Sequence, residues 1–91
     1  SVVRDLALVV AHDLPVQTLL DDLRQAAPDI VSELEVFDVY QGKGIDPDKK
    51  SLAIRVVMKD TQRTLADDEV ESARSRLIRF AEERFSARLR A

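Results

Sequence analysis

The hydrophobic period of this chain changes from two to about 3.6 and back again, twice over, and few folds accommodate that succession. Residues 3–10 alternate, with Arg4, Leu6, Leu8 and Val10 opposite Val3, Asp5, Ala7 and Val9. Both sets are β-prone, so a central strand covered on one face is expected. His12, Asp13 and Leu14 lead to Pro15, which suits a first helical turn because its missing N–H has no partner there. Val16, Leu19, Leu20, Leu23, Ala26 and Ala27 then fall within an arc of about 120°, and Pro28 ends the helix.

Residues 30–41 form a second strand with a fault in its phase. Leu34 and Val36 share one parity with Asp38 and Tyr40, whereas Phe37 and Val39 share the other with Glu33 and Glu35. One extra residue near Val36 and Phe37, a β-bulge, resolves the conflict: it returns Phe37 and Val39 to the core and turns Asp38 and Tyr40 outward. Gln41–Lys50 is a polar loop holding both glycines and a proline, and it leads into a third strand, Ser51–Lys59. There Leu52, Ile54, Val56 and Met58 face the core, and Ser51, Ala53, Arg55, Val57 and Lys59 face solvent.

After a connection, residues 60–65, a second amphipathic helix starts at Asp67 with Val70, Ala73, Leu77, Phe80, Ala81 and Phe85 on its apolar side. Arg74 and Arg84 intrude on that side, and their aliphatic stems are expected to pack at its edges with the charged heads in water. Ser86–Arg90 alternates small or apolar residues with basic ones and closes the sheet as a short edge strand. The order βαββαβ, with helices on one face and the other left open, defines an α+β ferredoxin-like sandwich: an antiparallel four-stranded sheet under two helices. It takes up residues 1–91 as a single domain. A chain that begins without methionine and enters a strand almost at once is expected to be excised from a longer polypeptide.

The residue inventory excludes most catalysis. Without cysteine there is no disulfide, thiolate metal site or cysteine nucleophile. A lone histidine, His12, builds no multi-histidine metal site, and two glycines supply no phosphate-cradling fingerprint. An acylphosphatase-type pair requires asparagine, which is absent. The acidic pairs Asp21/Asp22, Asp67/Asp68 and Glu82/Glu83 belong to helix surfaces or a helix start, where adjacent residues do not face each other. No catalytic residue and no metal ligand is assigned.

Binding remains. A net charge of −3 argues against a general nucleic-acid binder, so any contact with RNA must be local. Ribonucleoprotein-type modules stack bases on aromatic residues of their first and third strands, and neither strand here has one. Phe80 and Phe85 belong to a helix, Phe37 goes to the core with the bulge, and only Tyr40 is left free. One exposed ring is worth roughly 1–3 kcal/mol per stacked base. From Tyr40 to Arg63 six basic residues, among them Lys43, Lys49 and Arg55, stand against three acidic ones. Arg74 to Arg90 holds six arginines, which read first as a solvated helix face.

The segments RDLALVV (4–10), FDVYQGKG (37–44), KKSLAIRV (49–56) and RTLADDEV (63–70) together resemble one family, the ferredoxin-fold anticodon-binding domain at the C-terminus of the bacterial phenylalanyl-tRNA synthetase β subunit. The likeness runs through essentially the whole chain. Ala66 departs from the family's frequent threonine, which removes a helix cap worth ~1 kcal/mol, and Asp68 replaces a typical glutamate.

The resemblance implies a non-catalytic module whose open sheet face meets the anticodon loop of tRNA(Phe). Asp38 and Tyr40 of the FDxY motif and Ser51 of the KS motif would touch the bases, with Lys43, Lys49 and Arg55 as flanking RNA contacts. A carboxylate beside RNA can accept from the imino and amino donors of guanine. No cofactor is expected in the domain itself; ATP and magnesium would belong to the full enzyme. The implied partners are the rest of the β subunit and the α subunit, with no membrane, no DNA, and a cytoplasmic location. Two other functions remain open, a small-ligand regulatory domain and a purely structural one. Amino-acid-sensing ferredoxin-like domains dimerise and carry a glycine turn after the first strand, whereas Ala11–Pro15 has none.

Overall fold

Four strands and two helices follow one another as the two periods predict. In the computed structural model, which describes all of Ser1–Ala91, they are β1 (Val2–Ala11), α1 (Val16–Ala26), β2 (Val31–Tyr40), β3 (Lys49–Met58), α2 (Asp67–Phe85) and β4 (Arg88–Leu89). The strands make one antiparallel sheet in the order β2-β3-β1-β4, the arrangement of a ferredoxin-like α+β fold. β3 pairs with β1 without interruption from Val2↔Met58 to Ala11↔Lys49. That register puts Leu6, Leu8 and Val10 beside Ile54, Leu52 and Lys50 on one face, so both central strands deliver their apolar sets to the same side.

The core lies between that face and the helices. Leu19, Leu20 and Leu23 of α1, and Val70, Ala73, Leu77 and Ala81 of α2, close over Leu6, Leu8, Val10, Leu34, Leu52, Ile54, Val56 and Met58. Lys50 is the polar exception: it is 9% exposed on the core side, and its Nζ donates to the Leu14 carbonyl oxygen at 2.6 Å, tying β3 to the β1–α1 turn. Pro15 caps α1 from extended backbone rather than standing inside its first turn. α2 ends because Ser86 takes up the left-handed conformation (φ 55°) and its N–H returns to the Ala81 carbonyl, which aims the chain back at β1. β4 is short, but backbone bonds extend it: Ala7 donates to Ala91 at 2.7 Å and Arg90 to Ala7 at 2.8 Å. The Arg84 head reaches Asp22 of α1 at 3.4 Å, on the exposed side of the helix pair.

β2 has a register shift at Ser32, between Val31 and Glu33, and carries the expected bulge between Val36 and Asp38, where Phe37 has no partner on β3. Before it Leu34 and Val36 sit opposite the core residues Val56 and Ile54. After it Asp38 and Tyr40 sit opposite Ala53 and Ser51, on the open face. The orientation of Phe37 differs from the expectation: the residue is 44% exposed, with the Arg55 guanidinium 4.5 Å from its ring centroid. Arg55 alternates with core residues on β3, so Phe37 lies on the open face too. A bulged residue belongs to neither parity of its strand, which is why alternation could not place it. Val39 does share a side with Leu52, but it stays 49% exposed, since β2 is an edge strand and the helical cover ends before that corner.

Candidate nucleic-acid interface

The sheet face opposite the helices is built from Val3, Asp5, Ala7 and Val9 of β1, Lys49, Ser51, Ala53, Arg55 and Val57 of β3, Glu33, Glu35, Asp38 and Tyr40 of β2, and Arg88 of β4. One row crosses all four strands through paired residues: Tyr40, Ser51, Val9, Arg88. Its inner members are closed off although no helix lies on this side, with Ser51 3% and Val9 4% exposed. The cover comes from the rim. Tyr40 reaches inward from one edge and Arg90 from the other, and the Arg90 guanidinium carbon stands 5.2 Å from the ring centroid.

Tyr40 is 37% exposed. Its hydroxyl donates to the Lys43 carbonyl at 2.8 Å, which anchors the ring to the β2–β3 loop. Gly42 makes that approach possible. Its φ is +148°, and a Cβ there would stand 3.3 Å from the Tyr40 oxygen. Asp38, one pleat away on the same face, is exposed and makes no ion pair. Lys43 on the loop is exposed and Lys49 half-buried, so both cations flank the ring's end of the face.

Arg55 is set apart from this group. It lies four residues beyond Ser51 on β3, and its guanidinium forks onto Asp5, Nε to Oδ1 at 3.0 Å and Nη2 to Oδ2 at 3.1 Å. Those hydrogen bonds, and then the Asp5 charge, hold its pKa further above the ordinary value. The structure therefore gathers Asp38, Tyr40, Ser51, Lys43 and Lys49 at one end and leaves Arg55 nearer the other. Ser51 is on the expected side but sits beneath its neighbours.

Two residues of this face escaped the sequence reading. Arg90 could have been found from the alternation in Ser86–Arg90, which puts Arg88 and Arg90 on one face of an edge strand. Phe37 had no such signal. The exposed acids Asp5, Glu33 and Glu35 occupy the end away from the loop, so the face is basic toward Lys43, Lys49, Arg88 and Arg90 and acidic toward the far end of β2. No cluster of three or more histidine, cysteine or acidic side chains is placed to hold a metal ion, and no helix is long and apolar enough to cross a membrane.

Residues 1–90 match the family described as "Ferredoxin-fold anticodon binding domain". Among curated proteins, the chain is 51% identical over 90 residues to a protein of Dechloromonas aromatica named phenylalanine–tRNA ligase beta subunit. Proteins of the same name from Aromatoleum aromaticum and Thiobacillus denitrificans are 52% and 53% identical over 90 and 88 residues. The alignments cover 97–99% of this chain but 11% of each relative, so the chain spans about a tenth of their length.

Proposed function

Since the chain belongs to the ferredoxin-fold anticodon-binding domain family, we propose that it is the module with which the beta subunit of a phenylalanine–tRNA ligase binds the anticodon loop of tRNA(Phe), without catalysis of its own. The observation that carries this reading is the Tyr40 ring on the uncovered face of the sheet, with Asp38 beside it and Ser51 beneath. The fold alone would not suffice, because ferredoxin-like sandwiches serve many purposes.

An unpaired base needs a flat surface, and the only one at this end of the sheet is the Tyr40 ring, which Arg90 now covers. Binding exchanges the guanidinium for the base and frees Arg90 to turn toward the phosphates. The same movement uncovers Ser51, whose hydroxyl then reaches a base edge. Asp38, without a cation of its own, accepts hydrogen bonds from guanine's imino and amino groups and so selects a base at some electrostatic cost. Lys43 and Lys49 meet the backbone. ATP, magnesium and the aminoacylation chemistry belong to the remaining domains of the beta subunit and to the alpha subunit, in the cytoplasm.

A single stacked base with two or three ionic contacts is a weak ligand by itself, because association costs several kcal/mol in lost freedom. Other tRNA contacts of a full ligase would raise the effective concentration. Tyr40→Ala in the complete ligase should lower tRNA charging tenfold or more, while phenylalanine activation by ATP proceeds at the unaltered rate. Charging at the wild-type rate would refute the proposal.

A further inference from the structure

We infer that Phe37 and Arg55 form a second stacking platform on the open face, which takes a second unpaired nucleobase from the same RNA loop as the one held at Tyr40; this rests on the reading of the face given above. The two places have the same design, a ring and a guanidinium, with separations of 4.5 Å at Phe37 and 5.2 Å at Tyr40. Between them the paired residues Ala7 and Ala53 give the face a low floor.

The bulge that presents Phe37 is not required by the strand's alternation. With residue 37 removed, Leu34, Val36 and Val39 would still face the helices, and Glu33, Glu35, Asp38 and Tyr40 the open side. What the extra residue adds is an apolar ring on the outer surface, packed under no helix. Arg55 lies over it in a fixed plane, since both of its hydrogen bonds run to Asp5. A guanidinium whose charge is answered and whose plane is held makes a poor phosphate anchor and a good stacking surface.

The surrounding charges agree. Glu33 and Glu35, exposed on the same face, repel phosphate but accept hydrogen bonds from base amino groups. A loop crossing here turns its bases toward the sheet and its backbone outward. Arg55 lies about 13 Å along β3 from Ser51 at 3.3 Å per residue, a distance that an extended loop covers in a couple of nucleotides.

The test uses the full 91-residue chain and an RNA stem-loop with the phenylalanine anticodon, carrying 2-aminopurine at one loop position at a time, because that base changes its fluorescence on stacking. At least two positions should respond. Tyr40→Ala should abolish the response at one and Phe37→Ala at the other, with the second position's apparent affinity roughly five- to a hundredfold weaker, as for one lost stacked base. Arg55→Lys keeps the charge and loses the plane, so it should behave as Phe37→Ala does. Deletion of Phe37 leaves alternation unbroken from Glu33 to Tyr40 and should lose the same response while keeping the one at Tyr40, which separates loss of the ring from loss of the fold. Full responses in Phe37→Ala and Arg55→Lys would overturn the platform while leaving RNA binding intact. No response at any position with the wild-type chain raised to about millimolar concentration, where even a weak isolated affinity is met, would overturn the RNA reading and the platform with it.

Discussion

Glu69 shows how much one carboxylate can organise at a helix start. It accepts a fork of hydrogen bonds from Arg63 and another from the Ala66 backbone N–H at 3.2 Å. The Arg63 hydrogen bonds, followed by the Ala66 N–H, pull its pKa from the ordinary 4.5 down to about 2. A group whose pKa is lower in the folded than in the unfolded chain stabilises fully above the unfolded value, and the contribution fades as pH falls through the folded one. The difference in melting temperature between the wild type and Glu69→Gln should therefore be constant above about pH 5 and shrink between 4.5 and 2. A difference that persists undiminished at pH 2 would contradict this account. At the same scale, Tyr40 was legible because alternation fixes the side of a regular strand residue once the bulge is placed. The burial of Ser51 was not, because a small side chain is covered by whatever lies around it, and here Arg90 reaches across to Tyr40, fifty positions earlier in sequence.

At the scale of elements, the helices and central strands could be read from periodicity because each buries a single face. The phase fault in β2 located the bulge but not the direction of its extra residue. β4 was legible as a weak alternation, and its reach became evident only from the backbone bonds between Ala7, Arg90 and Ala91. The start of α2 deserves a variant. Ala66 offers no side-chain acceptor, so only the Glu69 half of the reciprocal capping arrangement forms. Asp68 Oδ1 accepts the Glu69 N–H at 3.0 Å in partial substitution. Ala66→Ser supplies the missing acceptor and should stabilise the chain by about 0.5–1 kcal/mol, read from the midpoint of urea unfolding. An unchanged midpoint would mean that Asp68 already fills the role.

Over the whole molecule, 45 by 22 by 18 Å, the net charge of −3 conceals a division of the open face into a basic end and an acidic end. RNA binding should accordingly depend on salt only to the extent that the basic end touches phosphates. With Lys43, Lys49 and Arg90 in contact, the logarithm of affinity should fall against the logarithm of salt with a slope of about −2, at roughly −0.7 per phosphate on a single strand. Replacing Lys43 or Lys49 by alanine should flatten the slope by about 0.7 each, for any loop sequence, whereas Tyr40→Ala should weaken binding at an unaltered slope. A slope near zero would place the phosphates away from the lysines. This division could not be read from composition, because it arises when β4 brings two arginines from the chain's end beside a loop from its middle.

The phenol oxygen of Tyr40 is fastened to the hairpin tip, on the carbonyl of Lys43. A ligand that tilted the ring would have to drag the tip or break the fastening, so ring and tip move as one lever. Anything that displaces the ring therefore acts on the outer corner of the hairpin as well.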